Sequence, residues 1–356
     1  MEIIFILGTK AQYIKTIPMI NHALEKNLRV RLIDLKQHPE KTKTLIKKIK
    51  GNYEYISFID NDHDLGTYSD LIRWFLKCLF KIVTLKYKKM NNSYCVVHGD
   101  TLSTLIGGLL TRKNKGKLVL LEAGLAFPGL FKHFPESFIR YFVAKLSHFM
   151  IANGREQIDQ LKAWNVKGKI LEISRNTIYD SLDLVNLKKD NTNKKVVISI
   201  HRTENINSKQ NMEELVNILS NIDSEFQQTW YLHIPTKNKL SSFNLISKLE
   251  SIGINLENLL SYEDFLSSIY NSDFVVTDGD GVTEECYILG IPTLVWRHEH
   301  LDSNHLFEGK TSLLLSEFDI KKSNKFFKDY KSYRTERHSG NVSPSLEALN
   351  KLIENI

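Results

Sequence analysis

The sequence predicts an α/β protein built as two doubly wound domains joined by a linker, and three observations carry that prediction. At 356 residues the chain exceeds one ordinary core and suits two domains of roughly 150 residues each. Short β-branched apolar runs alternate with amphipathic stretches in both halves, the pattern of parallel sheets covered by helices on both faces. Between the halves, Asn186 to Lys195 (NLKKDNTNKK) is polar and aperiodic, which marks a linker.

In the first half the expected strands are IIFIL, VRLIDL, YCVVHG, KLVLLEA and HFMIA. Helices fit between them at Tyr13 to Lys26, Ser69 to Lys89, Leu102 to Arg112 and Glu136 to Ser147. The second half repeats the alternation: KVVISIH, a helix through NMEELVNILSNI, WYLHIP, a helix near NKLSSFNLISKLE, DFVVTD, a helix opening at Gly281, and PTLVW. The apolar run that follows Met1 is about six residues long and has no basic segment before it, so it reads as a first core strand and not as a signal peptide. No repeat of solenoid length and no low-complexity tract interrupts the pattern.

Composition narrows the function classes. Hydrophobic residues make 42% and charged residues 25%, which are globular values. A formal charge of +7, locally dense in KKIK, KYKKM and TRKNKGK, favours an anionic ligand or membrane surface. No nucleic-acid-binding motif accompanies it, so no nucleic-acid partner is expected. Cys78, Cys95 and Cys286 lie far apart without metal-type spacing, which predicts reduced thiols and a cytoplasmic location. The most apolar helix, residues 69–89, is interrupted by Arg73, Lys77 and Lys81; it suits peripheral membrane contact and not a span.

Open parallel sheets bind ligands beyond the carboxyl ends of their strands, preferably where two domains meet, so the residues just after each strand are the candidates. After the first strand come Gly8 and Thr9, suited to a tight turn and a helix cap, with Lys10 and Lys15 as nearby cations. Asp100 follows YCVVHG and is either a helix N-cap or a group aimed at ligand. Glu122 follows KLVLLEA directly before Gly124, where capping explains it less easily. Glu136 opens the next helix, where an acid suits the helix dipole. In the second half, His201 and Arg202 follow a strand, and Gly279 and Gly281 precede a helix bearing Glu284 and Glu285, a turn able to offer N–H groups to a diphosphate. His298, His300 and His305 fit no common zinc spacing, and no metal is expected.

Taken in order, GTKAQYIKTIP, QH at Gln37 and His38, VVHGDTLSTL, LEAGL, FPE, NTIYD at Asn176 to Asp180, HRTEN, TDGDGVTEE and GIPTLVWR resemble the UDP-N-acetylglucosamine 2-epimerase family across nearly the whole chain. The resemblance implies two Rossmann-like domains in the GT-B architecture with a nucleotide sugar in the interdomain cleft. Residues 1–185 would form the first domain with a C-terminal helix, 343–356, packed back on it; 186–195 would be the linker and 196–342 the nucleotide-binding domain. It implies elimination of UDP across C1 and C2 to a 2-acetamidoglucal, then re-addition after inversion at C2, in surface polysaccharide or sugar-precursor synthesis and without a cofactor. Asp100, Glu122 and Glu136 match the family's catalytic carboxylates, Lys15 and His201 match groups around the diphosphate, and Glu285 matches the ribose-binding acid. Gln37, His38 and Arg73 match positions that some members use for a regulatory UDP-sugar, and a homodimer is the common assembly.

The chain also departs from that pattern. Lys10, Ala11 and Gln12 stand where the family has arginine, proline and glutamate; Gly279-Asp280-Gly281 replaces serine-glycine-glycine; and Ala126 replaces an arginine. Asp280 puts a carboxylate beside the expected diphosphate. Two alternatives therefore stay open: the hydrolysing branch, which releases free ManNAc-type sugar and UDP, and a GT-B glycosyltransferase using a nucleotide sugar.

Overall fold

A computed structural model describes the chain except residues 85–89, 126–134, 191–193, 298–308, 316–318, 339, 341 and 356. The chain divides into two compact units, one of Met1–Leu184 with Gly340–Ile356 and one of Val185–Ser339.

The first unit runs β1 (Glu2–Leu7), α1 (Lys10–Glu25), β2 (Arg29–Asp34), α2 (Pro39–Ile46), β3 (Glu54–Ser57), α3 (Tyr68–Thr84), β4 (Ser93–His98), α4 (Leu102–Lys113), β5 (Lys117–Leu121), α5 (Glu136–Leu146), β6 (Phe149–Asn153), α6 (Arg155–Ala163), β7 (Lys169–Ile173) and α7 (Ile178–Asp183). All seven strands pair in parallel in the order β3-β2-β1-β4-β5-β6-β7. Strand order reverses between β1 and β4, so the loops leaving these two strands diverge and open a crevice at their carboxyl ends. Ile3 to Leu7 and Cys95 to Val97 are fully buried, which is why these central strands read as unbroken apolar runs.

The second unit runs β8 (Lys195–Ser199), α8 (Thr203–Ile206), α9 (Lys209–Leu219), β9 (Gln227–Leu232), α10 (Ile234–Ser242), α11 (Ile246–Ser251), β10 (Ile254–Asn258), α12 (Tyr262–Tyr270), β11 (Phe274–Thr277), α13 (Asp280–Leu289), β12 (Thr293–Trp296), β13 (Ser312–Leu315) and α14 (Ile320–Asp329). Its parallel order, β10-β9-β8-β11-β12-β13, reverses between β8 and β11. Its own core gathers around Trp230, Phe274, Trp296 and Phe326. The last helix, α15 (Pro344–Glu354), belongs to the first unit and packs on α1 and β7. Asp180 fixes it there by accepting from Ser343 Oγ at 2.9 Å and from the Ser345 N–H at 2.7 Å.

The doubly wound α/β class is as the sequence predicts, with differences at the edges. β3 and β7 were not expected: β3 exposes Glu54 and Tyr55, and β7 alternates buried and exposed residues, so neither shows an apolar run. β10 and β13, also unexpected, lie at the edges of the second sheet. The single helix expected near residues 238–250 is two helices, because Asn244 takes a left-handed φ of 57° and ends the first. α3 is described to Thr84, and the expected continuation to Lys89 lies outside the described residues.

Candidate active site

In the first unit, side chains from four strand-end turns meet at the β1/β4 switch. The α1 N-terminus is closed by a capping box between Thr9 and Gln12. Gln12, only 2% exposed, also crosses to the next turn: its Oε1 accepts from the Gly8 N–H at 2.8 Å, and its Nε2 donates to His98 O at 2.8 Å and Thr104 Oγ1 at 2.9 Å. One neutral amide thus ties the β1–α1 turn to the β4–α4 turn with both its donors and its acceptor used.

Lys15, one turn further along α1, reaches Glu122 beyond β5, Nζ to Oε1 at 2.5 Å. Asn176 Nδ2 donates to the same oxygen at 2.7 Å, and His98 Nε2 stands 3.7 Å from Oε2. Burial works to raise the Glu122 carboxyl, but the Lys15 charge, His98 and the bonds from Lys15 and Asn176 outweigh it and hold the pKa at about 2. Burial is also the largest influence on His98 and pushes it down to about 4, against the pull of Glu122. At neutral pH the cluster is an ammonium, a carboxylate and a neutral imidazole.

Glu122 adopts φ +55°, a left-handed conformation that a side chain takes only at a cost of order 1 kcal/mol or more. It sits between Gly99 and Gly124, both also at positive φ. At Gly124 a β-carbon would stand 2.3 Å from the Gln157 carbonyl oxygen, so only glycine fits beside the strained glutamate. The Glu122 side chain lies near the β4–α4 turn, where a β-carbon on Gly99 would be 4.0 Å from its Oε2.

Asp100 follows Gly99 and is not the helix cap; Thr101 holds that position in α4. Asp100 instead pairs with Arg140 of α5, both side chains being mostly buried. Glu136 opens α5, is exposed, and has no hydrogen bond or ion pair among the described residues. Lys10 begins α1 half-buried. Of the candidate regulatory residues, Gln37 accepts from Ser103 Oγ and the His38 N–H donates to Gly8 O at 2.9 Å, which puts both beside the same switch. Burial and then the Lys41 charge lower the His38 pKa. Arg73 is not brought to them: it is 76% exposed on α3 and faces Asp70 at 3.9 Å.

In the second unit the central residue is Asp278, fully buried after β11. Its carboxylate accepts from the N–H groups of His201 at 3.0 Å and Arg202 at 2.9 Å, and from Asn205 Nδ2 at 2.9 Å, and so fixes the β8–α8 turn. Arg202 Nε returns a bond to Asp278 O at 2.8 Å. The His201 ring stacks on His233, centroids 4.6 Å apart, and lies against Gly279, where a β-carbon would stand 2.9 Å from Cε1.

Asp280, first residue of α13, is bound from both sides: Arg202 Nη2 donates to Oδ2 and Arg297 Nη1 to Oδ1. Arg297 is 1% exposed, and its Nε and Nη2 have no hydrogen-bond partner among the described residues. Glu204, 3.4 Å from Arg202, completes a group of two guanidiniums and two carboxyl groups beside Asp278. Glu285 is buried on α13 and accepts from Tyr262 OH at 3.0 Å. No cluster among the described residues has the makings of a metal site. His298, His300, His305 and Ala126 lie outside the described residues.

Sequence reasoning gave no site role to His98, Asn176, Arg140, Gln12, Asp278 and Arg297, although all but Arg140 fall within the motifs that carry the resemblance. Three of these, His98, Asp278 and Arg297, end or directly follow a strand, so the rule that found Asp100 and Glu122 reaches them too.

A sequence model of the family described as UDP-N-acetylglucosamine 2-epimerase matches residues 22–324. The UDP-N-acetylglucosamine 2-epimerase of Methanococcus maripaludis is 28% identical over 325 residues, covering 84% of this chain and 85% of that one. The protein of the same name from Methanocaldococcus jannaschii is 28% identical over 319 residues, covering 83% and 84%. Among solved structures, the M. jannaschii enzyme in complex with UDP-GlcNAc and UDP superposes with a TM-score of 0.78 at 23% identity, over 100% of both chains. The Neisseria meningitidis enzyme bound to UDP-GlcNAc gives 0.78 at 19%, also over 100% of both. At these identities the superpositions establish the fold.

Proposed function

The chain belongs to the UDP-N-acetylglucosamine 2-epimerase family, and from that premise we propose that it inverts C2 of a UDP-N-acetylhexosamine of the UDP-GlcNAc/UDP-ManNAc type. The C2 proton passes to a carboxylate as the C1–O bond to UDP breaks, and the C–H electrons become the C1=C2 bond of a 2-acetamidoglucal. Re-addition of UDP with protonation of C2 on the opposite face gives the epimer. Atoms and charge balance without a redox partner, so the reaction calls for a positioned base, a positioned acid and stabilisation of the departing diphosphate.

The observation that carries this reading is the Lys15–Glu122 pair. It joins a cation suited to a leaving phosphate to a carboxylate suited to proton transfer, at a switch point where such folds bind ligand. With a pKa of about 2, Glu122 is a poor base while Lys15 holds it. A diphosphate that draws Lys15 away leaves Glu122 buried without its strongest counter-charge, and its proton affinity then rises. Lys15 in this scheme couples arrival of the diphosphate to activation of the base. Asp100, oriented by Arg140, and Glu136 supply the remaining proton-transfer groups, and Lys10 adds positive charge at the same helix end.

The second unit takes the nucleotide. The α13 N-terminus at Gly279 and Gly281, with His201, Arg202 and Arg297, faces the diphosphate, and Glu285 takes the ribose. The protein acts in the cytoplasm, in keeping with three buried free thiols, and supplies epimerised precursor for surface polysaccharide.

Proton NMR of purified protein with UDP-GlcNAc tests this reading by its products. UDP-ManNAc is the expected product. Free N-acetylmannosamine with UDP assigns the hydrolysing branch, and no conversion at any enzyme concentration contradicts the proposal.

A further inference from the structure

Two side chains donate to one oxygen of Glu122, and only one of them is a cation that a ligand could draw away. Lys15 Nζ and Asn176 Nδ2 both reach Oε1, at 2.5 and 2.7 Å. Oε2 accepts no hydrogen bond among the described residues, and His98 Nε2 stands 3.7 Å from it.

Asn176 is buried and follows β7, so it reaches Glu122 past β6. Its amide cannot turn over. The Ile178 N–H donates to Asn176 Oδ1 at 3.0 Å, an Asx turn that opens α7. A flipped amide would set its NH2 group against that N–H and its oxygen against the carboxylate. α7 is itself tied down: Ser181 Oγ donates to Ile14 O at 2.8 Å, next to Lys15, and Asp180 accepts from Ser343 and Ser345 at the start of α15. Both donors to Oε1 therefore stand on backbone that α7 joins.

We propose that Asn176 is a positioning residue for proton transfer, holding Glu122 by Oε1 and leaving Oε2 as the oxygen that takes the C2 proton. The inference rests on the C2 inversion proposed above. A diphosphate that draws Lys15 away does not draw a neutral amide with it, so Nδ2 keeps its bond. Oε1 accepts both as half of a carboxylate and as the carbonyl oxygen of the acid, so the bond outlasts arrival of the proton on Oε2. The C–H electron pair becomes the C1=C2 bond as UDP leaves C1, and the proton cancels the carboxylate's charge.

The charged and titratable groups facing Glu122 are Lys15 on α1 and His98 at the end of β4. Asn176→Asp keeps an acceptor for the Ile178 N–H, and so keeps the turn, but sets a second carboxyl group against Oε1. Two buried carboxyl groups in contact raise the pKa of one of them, and stability linked to a raised folded pKa is lost as pH rises through it. In urea unfolding the variant is expected to be less stable than wild type at pH 7.5 and to recover at least half of that deficit at pH 5. In turnover of UDP-GlcNAc, Asn176→Asp should lower kcat at least about tenfold with the Kd for UDP within about twofold of wild type, and should move the acid limb of kcat/KM up by about one pH unit or more. Asn176→Ser, whose hydroxyl serves the turn but is too short to reach Glu122, should lower kcat by a similar factor. A stability deficit equal at both pH values, or Asn176→Asp with wild-type kcat and acid limb, overturns the proposal and leaves Asn176 a turn residue only. Should Asn176→Asp not fold, Asn176→Ser decides: wild-type kcat overturns the proposal, and lowered kcat with UDP affinity kept upholds it. Wild-type protein that leaves UDP-GlcNAc unconverted contradicts the C2 reading instead, and the urea comparison still decides whether Asn176 holds Glu122.

Discussion

The Lys15 ammonium stands 2.5 Å from Glu122 Oε1, with both side chains mostly out of solvent, and this pair sets the acid–base state of the first unit's site. Removing the cation leaves a buried carboxylate, which burial then drives upward. Lys15→Met is therefore expected to lower kcat/KM for UDP-GlcNAc at least about tenfold at neutral pH and to move the acid limb of its pH profile to higher pH. It should also cost about 3 kcal/mol of stability, the usual result of breaking one partner from a buried ion pair. An unmoved acid limb would detach Glu122 from the rate.

Acid stability follows from the same cluster. Both folded pKa values are depressed: His98 from 6.5 to about 4 and Glu122 from 4.5 to about 2. A group with a depressed folded pKa contributes stability above its unfolded pKa and loses it as pH falls toward its folded pKa. His98 governs the window from pH 6.5 down to 4 and Glu122 that from 4.5 down to 2, each by about 3 kcal/mol. Urea unfolding across pH 7 to 4 should show stability falling with acid, and His98→Gln should flatten that fall. An equal slope in the variant would place the titration elsewhere.

Asp280 answers a question the sequence raised. The turn appeared to set a carboxylate against the diphosphate, yet that carboxylate is held between the guanidiniums of Arg202 and Arg297. In the proposed site it is an internal anion on the arginines assigned to the diphosphate. Asp280→Asn should tighten UDP binding by about tenfold in calorimetry, in line with removal of one like charge near the ligand at effective dielectric values typical of a surface cleft. Arg297→Met should weaken it by a similar factor. Weaker binding by Asp280→Asn would mean that the carboxylate serves to position the arginines.

Much of the fold was legible because central parallel strands are buried on both faces. Ile3 to Leu7 and Val196 to Ile198 announce themselves as apolar runs, whereas the edge strands Glu54–Ser57 and Ile254–Asn258 expose several side chains and read as loops. The site was half legible. Asp100, Glu122 and His201 follow strands and were singled out by that position, Asp100 as either a helix cap or a ligand-facing group, with their roles coming from the family resemblance. Gln12 and Asn176 fell only within motifs, Gln12 also at capping-box spacing from Thr9, and the roles that join them to the site were not legible because those partners lie 86 and 54 residues away. Arg140 resembled an ordinary helix cation until Asp100 met it. Arg73 went the other way, a basic residue matched by motif that the fold leaves on an exposed helix face.

The central claim is proton exchange at C2 by the strand-end carboxylates, and solvent isotope reads it directly. Turnover of UDP-GlcNAc in D₂O, followed by proton NMR, should place deuterium at C2 of the product in step with its formation, and Glu122→Gln should abolish both. Product formed with its original C2 proton retained would contradict the account.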